Sequence, residues 1–195
     1  MLDPGDTVSE AVFLDQESAA APTTRWRDRA VALGAQPLDA AQGSAALAAI
    51  WSRDNRSGAL AGSDLARLVQ HLSFATLPAG REAIAQDEAG DFLLIVLSGV
   101  IAVDRVQPSG RRVRLAEAHA GDMLGEMSLL DAGTRSCACS TLKESVVAAL
   151  DNEHFDLLMR DEPRLAVALL ASLSRRLSLR LRQVSSRLSA LLSQG

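Results

Sequence analysis

The residues of this chain best placed to do chemistry are Gly125-Glu126-Met127-Ser128-Leu129-Leu130 and, after a short loop, Arg135-Ser136. The first six follow a Gly121-Asp122 turn and read as one turn of helix between strands. The leading N–H groups of such a turn have no partner within the helix. With a glycine ahead of them they converge on an anion, and the peptide dipoles favour negative charge there. A carboxylate at Glu126 is out of place beside an anion unless it faces a hydroxyl. Arg135 adds a cationic fork and Ser136 a hydroxyl. Backbone donors, fork, hydroxyl and one carboxylate acceptor together suit a ligand that carries a phosphate beside a sugar hydroxyl.

The other reactive side chains point to little. Cys137 and Cys139 are two apart, which in a strand puts them on one face. That spacing suits neither a disulfide framework nor a zinc site, so both are expected to be small buried apolar residues in a reducing compartment. His71, His119 and His154 are far apart and form no His-x-His pair or His-Glu-x-x-His helix. No metal site and no catalytic residues are expected, and a cupin-like metalloenzyme is disfavoured on the histidine spacing.

The elements that must position the anion-binding residues are legible from punctuation. From His71 to Leu150, short apolar runs alternate with turn signals: His71–Leu77, Glu82–Gln86, Phe92–Leu97, Val100–Val106, Val113–Ala118, Ser136–Leu142 and Val146–Leu150. Gln107-Pro108-Ser109-Gly110 reads as a hairpin turn. Short strands at this spacing signal a sandwich or barrel. Ahead of them, Val8–Leu14 is a candidate helix, Gln16–Thr24 a linker, and Trp26 with Val31 and Leu33 could anchor a second helix. Leu38–Trp51 carries Leu47, Ile50 and Trp51 at helical spacing, with Ser52–Gly58 as its break. Ser63 or Asp64 could cap a short helix bearing Leu65, Leu68 and Val69. Asp151 or Asn152 could cap another bearing Phe155, Leu157 and Leu158. Asp161-Glu162-Pro163 opens a long helix that can run to about Leu192. Leu170, Leu177, Val184 and Leu191, flanked by Leu173, Leu181 and Leu188, make a heptad stripe on it, which predicts a helix-mediated homodimer.

On these residues the sequence resembles the cyclic-nucleotide-binding domain family. Its phosphate-binding cassette runs Gly-Glu-aliphatic-small-Leu-aliphatic, a short loop, then Arg-Ser/Thr/Ala-Ala; here Gly125 to Leu130, then Arg135 and Ser136. Glu88-Ala89-Gly90-Asp91 before the Phe92–Leu97 run, closing on Ser98-Gly99, resembles a second family pattern. The likeness covers about residues 58–192. Leu124 stands where an aromatic is common and Cys137 where Ala is usual; neither change removes a ligand contact. The resemblance implies an α+β fold: a β jelly-roll barrel with a short cassette helix, N-terminal helices and a long C-terminal helix. It divides the chain into an N-terminal helical, partly flexible extension (1–57), a cyclic-nucleotide-binding jelly roll (58–160) and a C-terminal lid and dimerisation helix (161–195).

It also implies roles. Arg135 would pair with the phosphate oxygens of cAMP or cGMP. The N–H groups of Glu126, Met127 and Ser128, beside Gly125, and the hydroxyl of Ser136 would donate to the same oxygens. Glu126 would accept from the ribose 2′-hydroxyl. Arg180 is the candidate cap on the base: donation to a purine carbonyl would mildly favour guanine, whereas stacking on the purine face would favour neither base. No cofactor is implied beyond the ligand. In transcription factors of the family a helix-turn-helix domain follows the long helix, whereas this sequence ends at Gly195. The expected function is therefore a stand-alone sensor, not an enzyme, that signals by helix movement to a partner protein. The alternative is an adapter or scaffold whose domain no longer binds nucleotide.

Composition sets the frame. The 195 residues are 48% hydrophobic and 23% charged, enough to bury a core, but aromatics make up only 3% with no Tyr, so that core must be aliphatic. The net charge of −4 disfavours a dedicated DNA binder, although residues 161–195, with two acids and six bases, are positive. No apolar run approaches the roughly 18–20 residues of a membrane span. The acidic start lacks the features of a signal peptide, so a cytoplasmic protein without a membrane partner is expected.

Overall fold

The computed structural model describes residues 23–53 and 62–192. The candidate helix Val8–Leu14, most of the Gln16–Thr24 linker and the end of the Ser52–Gly58 break lie outside them. Three helices lead: α1 (Trp26–Leu33), α2 (Ala40–Arg53) and α3 (Gly62–Leu68), with the two-residue strand β1 (Gln36–Pro37) between the first two. A 3-10 turn at Val69–His71 leads into β2 (Ser73–Leu77), β3 (Glu82–Ile84), β4 (Phe92–Ser98), β5 (Ile101–Val106), β6 (Arg112–Ala118) and β7 (Met123–Leu124). The helix α4 (Glu126–Asp131) follows, then β8 (Ala138–Thr141), β9 (Ser145–Asp151), α5 (Asn152–Asp161) and α6 (Pro163–Leu192).

The strands form two antiparallel sheets, ordered β1-β2-β9-β4-β7 and β3-β8-β5-β6. From β2 to β9 every connection except the β5–β6 hairpin carries the chain between the sheets, as the expected jelly roll requires. β4, paired between β9 and β7, is buried on both faces, which is why it reads as an unbroken apolar run. Its alternate residues serve two cores. Phe92, Leu94 and Val96 point between the sheets with Leu77, Ile84, Ile101, Leu124 and Val147. Leu93, Ile95 and Leu97 point outward under the helices, against Leu47, Leu68, Leu158, Leu165, Leu169 and Leu173. The β5–β6 hairpin turns at Gln107–Gly110, with the Gln107 N–H donating to the Arg111 carbonyl.

Several local expectations need correction. Trp26 and Leu33 of α1 enter the core between the sheets, but Val31 is 78% exposed on the opposite side of its short helix. α2 runs through Ser52 and Arg53, and Ser63 and Asp64 lie inside α3 rather than capping it. Asp151 does cap α5, its carboxylate accepting from the His154 N–H at 2.9 Å. On α6 the apolar residues buried against the domain are Leu165, Ala166, Leu169 and Leu173. Leu173, read as a flanking position, is thus core. Leu170 and Leu177 are half-buried, and beyond them Leu179, Leu181 and Val184 are exposed. Among the described residues, no helix is long and apolar enough to cross a membrane.

Candidate functional site

The candidate anion-binding residues meet beside α4, in a cleft lined from strands of both sheets. Hydrogen bonding ends β7 at Leu124, and Gly125 then takes a left-handed conformation (φ 79°) that turns the chain straight into α4. A residue with a Cβ is strained at that φ. Close approach demands glycine there too, since a Cβ would sit 2.4 Å from Nη1 of Arg135. No side chain caps α4, so its first amides are not claimed by a capping group. Met127 is exposed on this turn, while Glu126 and Ser128 are buried.

Arg135 lies on the loop between α4 and β8 and is only 2% exposed. Nη1 donates to the Gly125 carbonyl at 2.7 Å and Nη2 to the Phe92 carbonyl at 2.6 Å. Its Cζ lies 4.8 Å from the centroid of the Phe92 ring. Nε is buried without a partner. Burial makes the cation harder to hold, while Glu88, Cys139, Asp91 and Glu126 favour it from a distance. None of those carboxylates forms an ion pair with it among the described residues. Arg135 is therefore a buried charge whose hydrogen bonds among the described residues go to carbonyl oxygens and not to a carboxylate, an arrangement that leaves a favourable place for an anion.

Glu126 does not pair with Arg135. Its Oε1 accepts from Nη1 of Arg180 at 2.9 Å, across from α6, and Arg180 Nη2 reaches the Met123 carbonyl at 3.4 Å. One turn earlier, Arg176 Nη1 donates to the Gly121 carbonyl at 2.7 Å. Two arginines thus tie the long helix to the segment that leads into α4.

These groups border one cleft, open to solvent on one side. All seven residues singled out in the sequence line it: Gly125, Glu126, Met127, Ser128, Arg135, Ser136 and Arg180. Sequence reasoning missed its apolar walls, Ile84, Val103 and Leu124, which come from strands of both sheets. It also misjudged one cysteine. Cys139 is buried, which pushes its thiol up to about 12, but Cys137 is half-exposed on the cleft wall with its Sγ 3.8 Å from the Ser136 hydroxyl. Both are free thiols. Among the described residues no cluster of His, Cys, Asp and Glu could hold a metal ion.

Comparison with known proteins agrees with this geometry. Residues 74–162 match the family described as the cyclic nucleotide-binding domain. A CRP-like cAMP-activated global transcriptional regulator of Mycobacterium tuberculosis is 33% identical over 115 residues, which is 59% of this chain and 51% of that protein. The chain thus spans about half the length of the curated relatives it matches. A solved cyclic nucleotide-binding domain from Methylobacillus flagellatus superposes with a TM-score of 0.63 at 25% identity, covering 66% of this chain and 72% of that one. The N-terminal domain of a transcriptional regulator from Streptomyces coelicolor superposes at 0.59 with 30% identity, covering 67% of this chain and 94% of that one. The cassette sequence, the roll that presents it and these likenesses agree: the chain belongs to the cyclic nucleotide-binding domain family.

Proposed function

We propose that this chain is a cyclic-nucleotide sensor that takes cAMP or cGMP in the cleft beside α4 and passes occupancy to a partner protein through α6. The observation that carries the reading is Arg135, a buried cation that lines the cleft, makes no ion pair among the described residues and has an unpartnered Nε. A cyclic phosphate would supply the missing negative charge through charge-assisted hydrogen bonds. The uncapped amides of Glu126, Met127 and Ser128 and the hydroxyl of Ser136 would donate to the same oxygens. Glu126 spends one carboxylate oxygen on Arg180. The other would accept from the ribose 2′-hydroxyl, selecting ribo- over deoxyribonucleotides.

Signalling follows from that shared carboxylate. A ligand that loads Glu126 changes what Arg180 holds, so α6 feels the state of the cleft. Arg180 can also stack on a purine face, which is neutral between bases, or donate to a purine carbonyl, which favours guanine. The exposed Leu181 and Val184 (67% and 56%) give the distal half of α6 an apolar surface suited to a second copy of the chain.

Isothermal titration of the protein with cAMP and with cGMP, repeated on Arg135→Ala, tests the reading. Loss of one partner of a desolvated charge pair weakens binding by about 30-fold to several thousand-fold. Absence of binding by either nucleotide to the wild type, with the fold intact, would favour the adapter reading instead. That reading draws on Arg135 and Glu126 already having partners of their own within the protein.

A further inference from the structure

The side of Arg135 away from the cleft is built by residues far upstream of the cassette. Trp26, at the start of α1, is buried against Phe92, ring centroids 5.4 Å apart and planes tilted at 56°. Phe92, fully buried, packs beneath the Arg135 guanidinium. An aromatic ring fixed by a tilted neighbour presents a fixed face to a cation, so Trp26 sets the surface on which the guanidinium lies.

The backbone of Arg135 is held through the same segment. Its N–H donates to the Glu88 carbonyl at 2.9 Å, and its carbonyl accepts from the Asp87 N–H at 2.8 Å. The Glu88 carboxylate is gripped on both oxygens: Oε1 accepts from the Ala85 N–H at 3.0 Å, and Oε2 accepts from the Thr24 hydroxyl at 3.3 Å and from Arg29. The Thr24 backbone runs beside Gly90, donating to the Ala89 carbonyl at 2.8 Å and accepting from the Asp91 N–H at 3.3 Å. Gly90 is also where a Cβ would strike the guanidinium, 2.5 Å from Nη2. Both ends of Arg135 therefore rest on a loop that residues 24–29 clamp from behind.

We infer that Thr24, Trp26 and Arg29 are positioning residues of the anion site, holding Arg135 in place through Phe92 and the Glu88 loop. Binding at Arg135 and docking of α1 then favour one another, because a coupling between two sites acts equally in both directions. The affinity arm of this inference rests on the reading of Arg135 as the phosphate ligand; the seating of Arg135 does not.

The test uses the full chain, labelled with nitrogen-15, and follows the Arg135 Nε–Hε signal, identified by its loss in Arg135→Lys. In Trp26→Leu this signal moves and its hydrogen exchange accelerates; in Trp26→Phe it stays near the wild-type position, the ring stack being kept. Arg29→Met, which leaves the core untouched, also accelerates exchange, and Trp51→Leu, on α2, does neither. With cAMP as probe, Trp26→Leu and Arg29→Met weaken binding by about threefold to tenfold, the worth of an aromatic or charged contact passed on to the cation. Saturating cAMP slows backbone hydrogen exchange across residues 25–33. An Arg135 signal and exchange rate equal to wild type in both Trp26→Leu and Arg29→Met would overturn the inference. Movement of that signal in a wild-type-like fold that binds no cAMP supports the positioning role and refutes only the nucleotide reading.

Discussion

Gly90→Ala is the sharpest probe of how Arg135 is seated. Gly90 does not have a positive φ, so a Cβ there brings no backbone strain of its own. The Cβ would lie 2.5 Å from Nη2, 2.6 Å from Nε and 2.8 Å from Cζ of Arg135. These atoms belong to a rigid plane held at both ends, by the Gly125 and Phe92 carbonyls. To restore ordinary contact the plane must retreat by about 1 Å, which a close-packed interior does not absorb freely. One of the two carbonyl hydrogen bonds is lengthened or lost, and a hydrogen bond to a charged group contributes about 1.5–3 kcal/mol. The same displacement removes the Arg135 fork from its place for a ligand phosphate. The expected result is cAMP binding weaker by about 10-fold to 150-fold in titration, with melting lowered as for an overpacked core site. Gly80→Ala is the control. Its φ of 73° makes alanine strained, but nothing lies within 4 Å of the new Cβ, so it lowers stability and leaves affinity alone. Wild-type affinity and melting in Gly90→Ala would refute this account of the site.

Three further outcomes are expected. Arg180→Ala removes the partner of the buried Glu126 carboxylate and a candidate contact to the base; purine cyclic nucleotides bind about 5-fold to 30-fold more weakly. Unchanged affinity together with unchanged ligand-dependent hydrogen exchange of α6 would exclude Arg180 as the cap. Val184→Glu puts a charge on the exposed apolar surface of α6, so light scattering at micromolar concentration, which should give twice the chain mass for the wild type, gives less for the variant; a monomeric wild type would refute the dimer. Burial and, secondarily, the charge of Asp151 push the Asp91 carboxyl up. The folded chain then holds that proton more tightly than the unfolded chain, so ionised Asp91 opposes folding above its raised value and costs nothing below the ordinary carboxylate range. Asp91→Asn therefore raises Tm at neutral pH, and the gain disappears as pH falls through the carboxylate range; a Tm difference independent of pH would refute this.

What was legible in the sequence is what local pattern encodes. Gly125 to Ser128 and Arg135-Ser136 stand close along the chain, so the donors and charges of a candidate anion site could be read from local order. The strands were readable because each is bounded by turn residues, and β4 because a strand buried on both faces must be apolar throughout. β1 and β7, two residues each, are too short to carry any period, and neither was foreseen. Val31 shows a different limit. Trp26, Val31 and Leu33 are all apolar, but α1 has only one side against the core, and eight residues do not reveal which. On α6 the apolar residues satisfy two overlapping periods. The Leu165, Leu169, Leu173 face meets the domain, and the heptad through Leu177 and Val184 emerges only where the domain ends.

The partners of the charged groups were the least legible, and the reason is topological. A buried ion is stabilised by whatever dipoles the fold brings to it, at any separation along the chain. Glu126 finds Arg180, 54 residues away, and Arg135 finds the Phe92 carbonyl, 43 residues away. Arg29 finds Glu88 across 59 residues. Motif residues can therefore be read for what they could bind, while what holds them ready is distributed over elements with no motif at all. A cassette sequence transplanted without the counterparts of Trp26, Phe92 and Glu88 would keep every residue type of the anion site and lose the seat of its arginine. That is why variants behind the cleft, more than variants in it, separate a poised site from one that merely retains its motif.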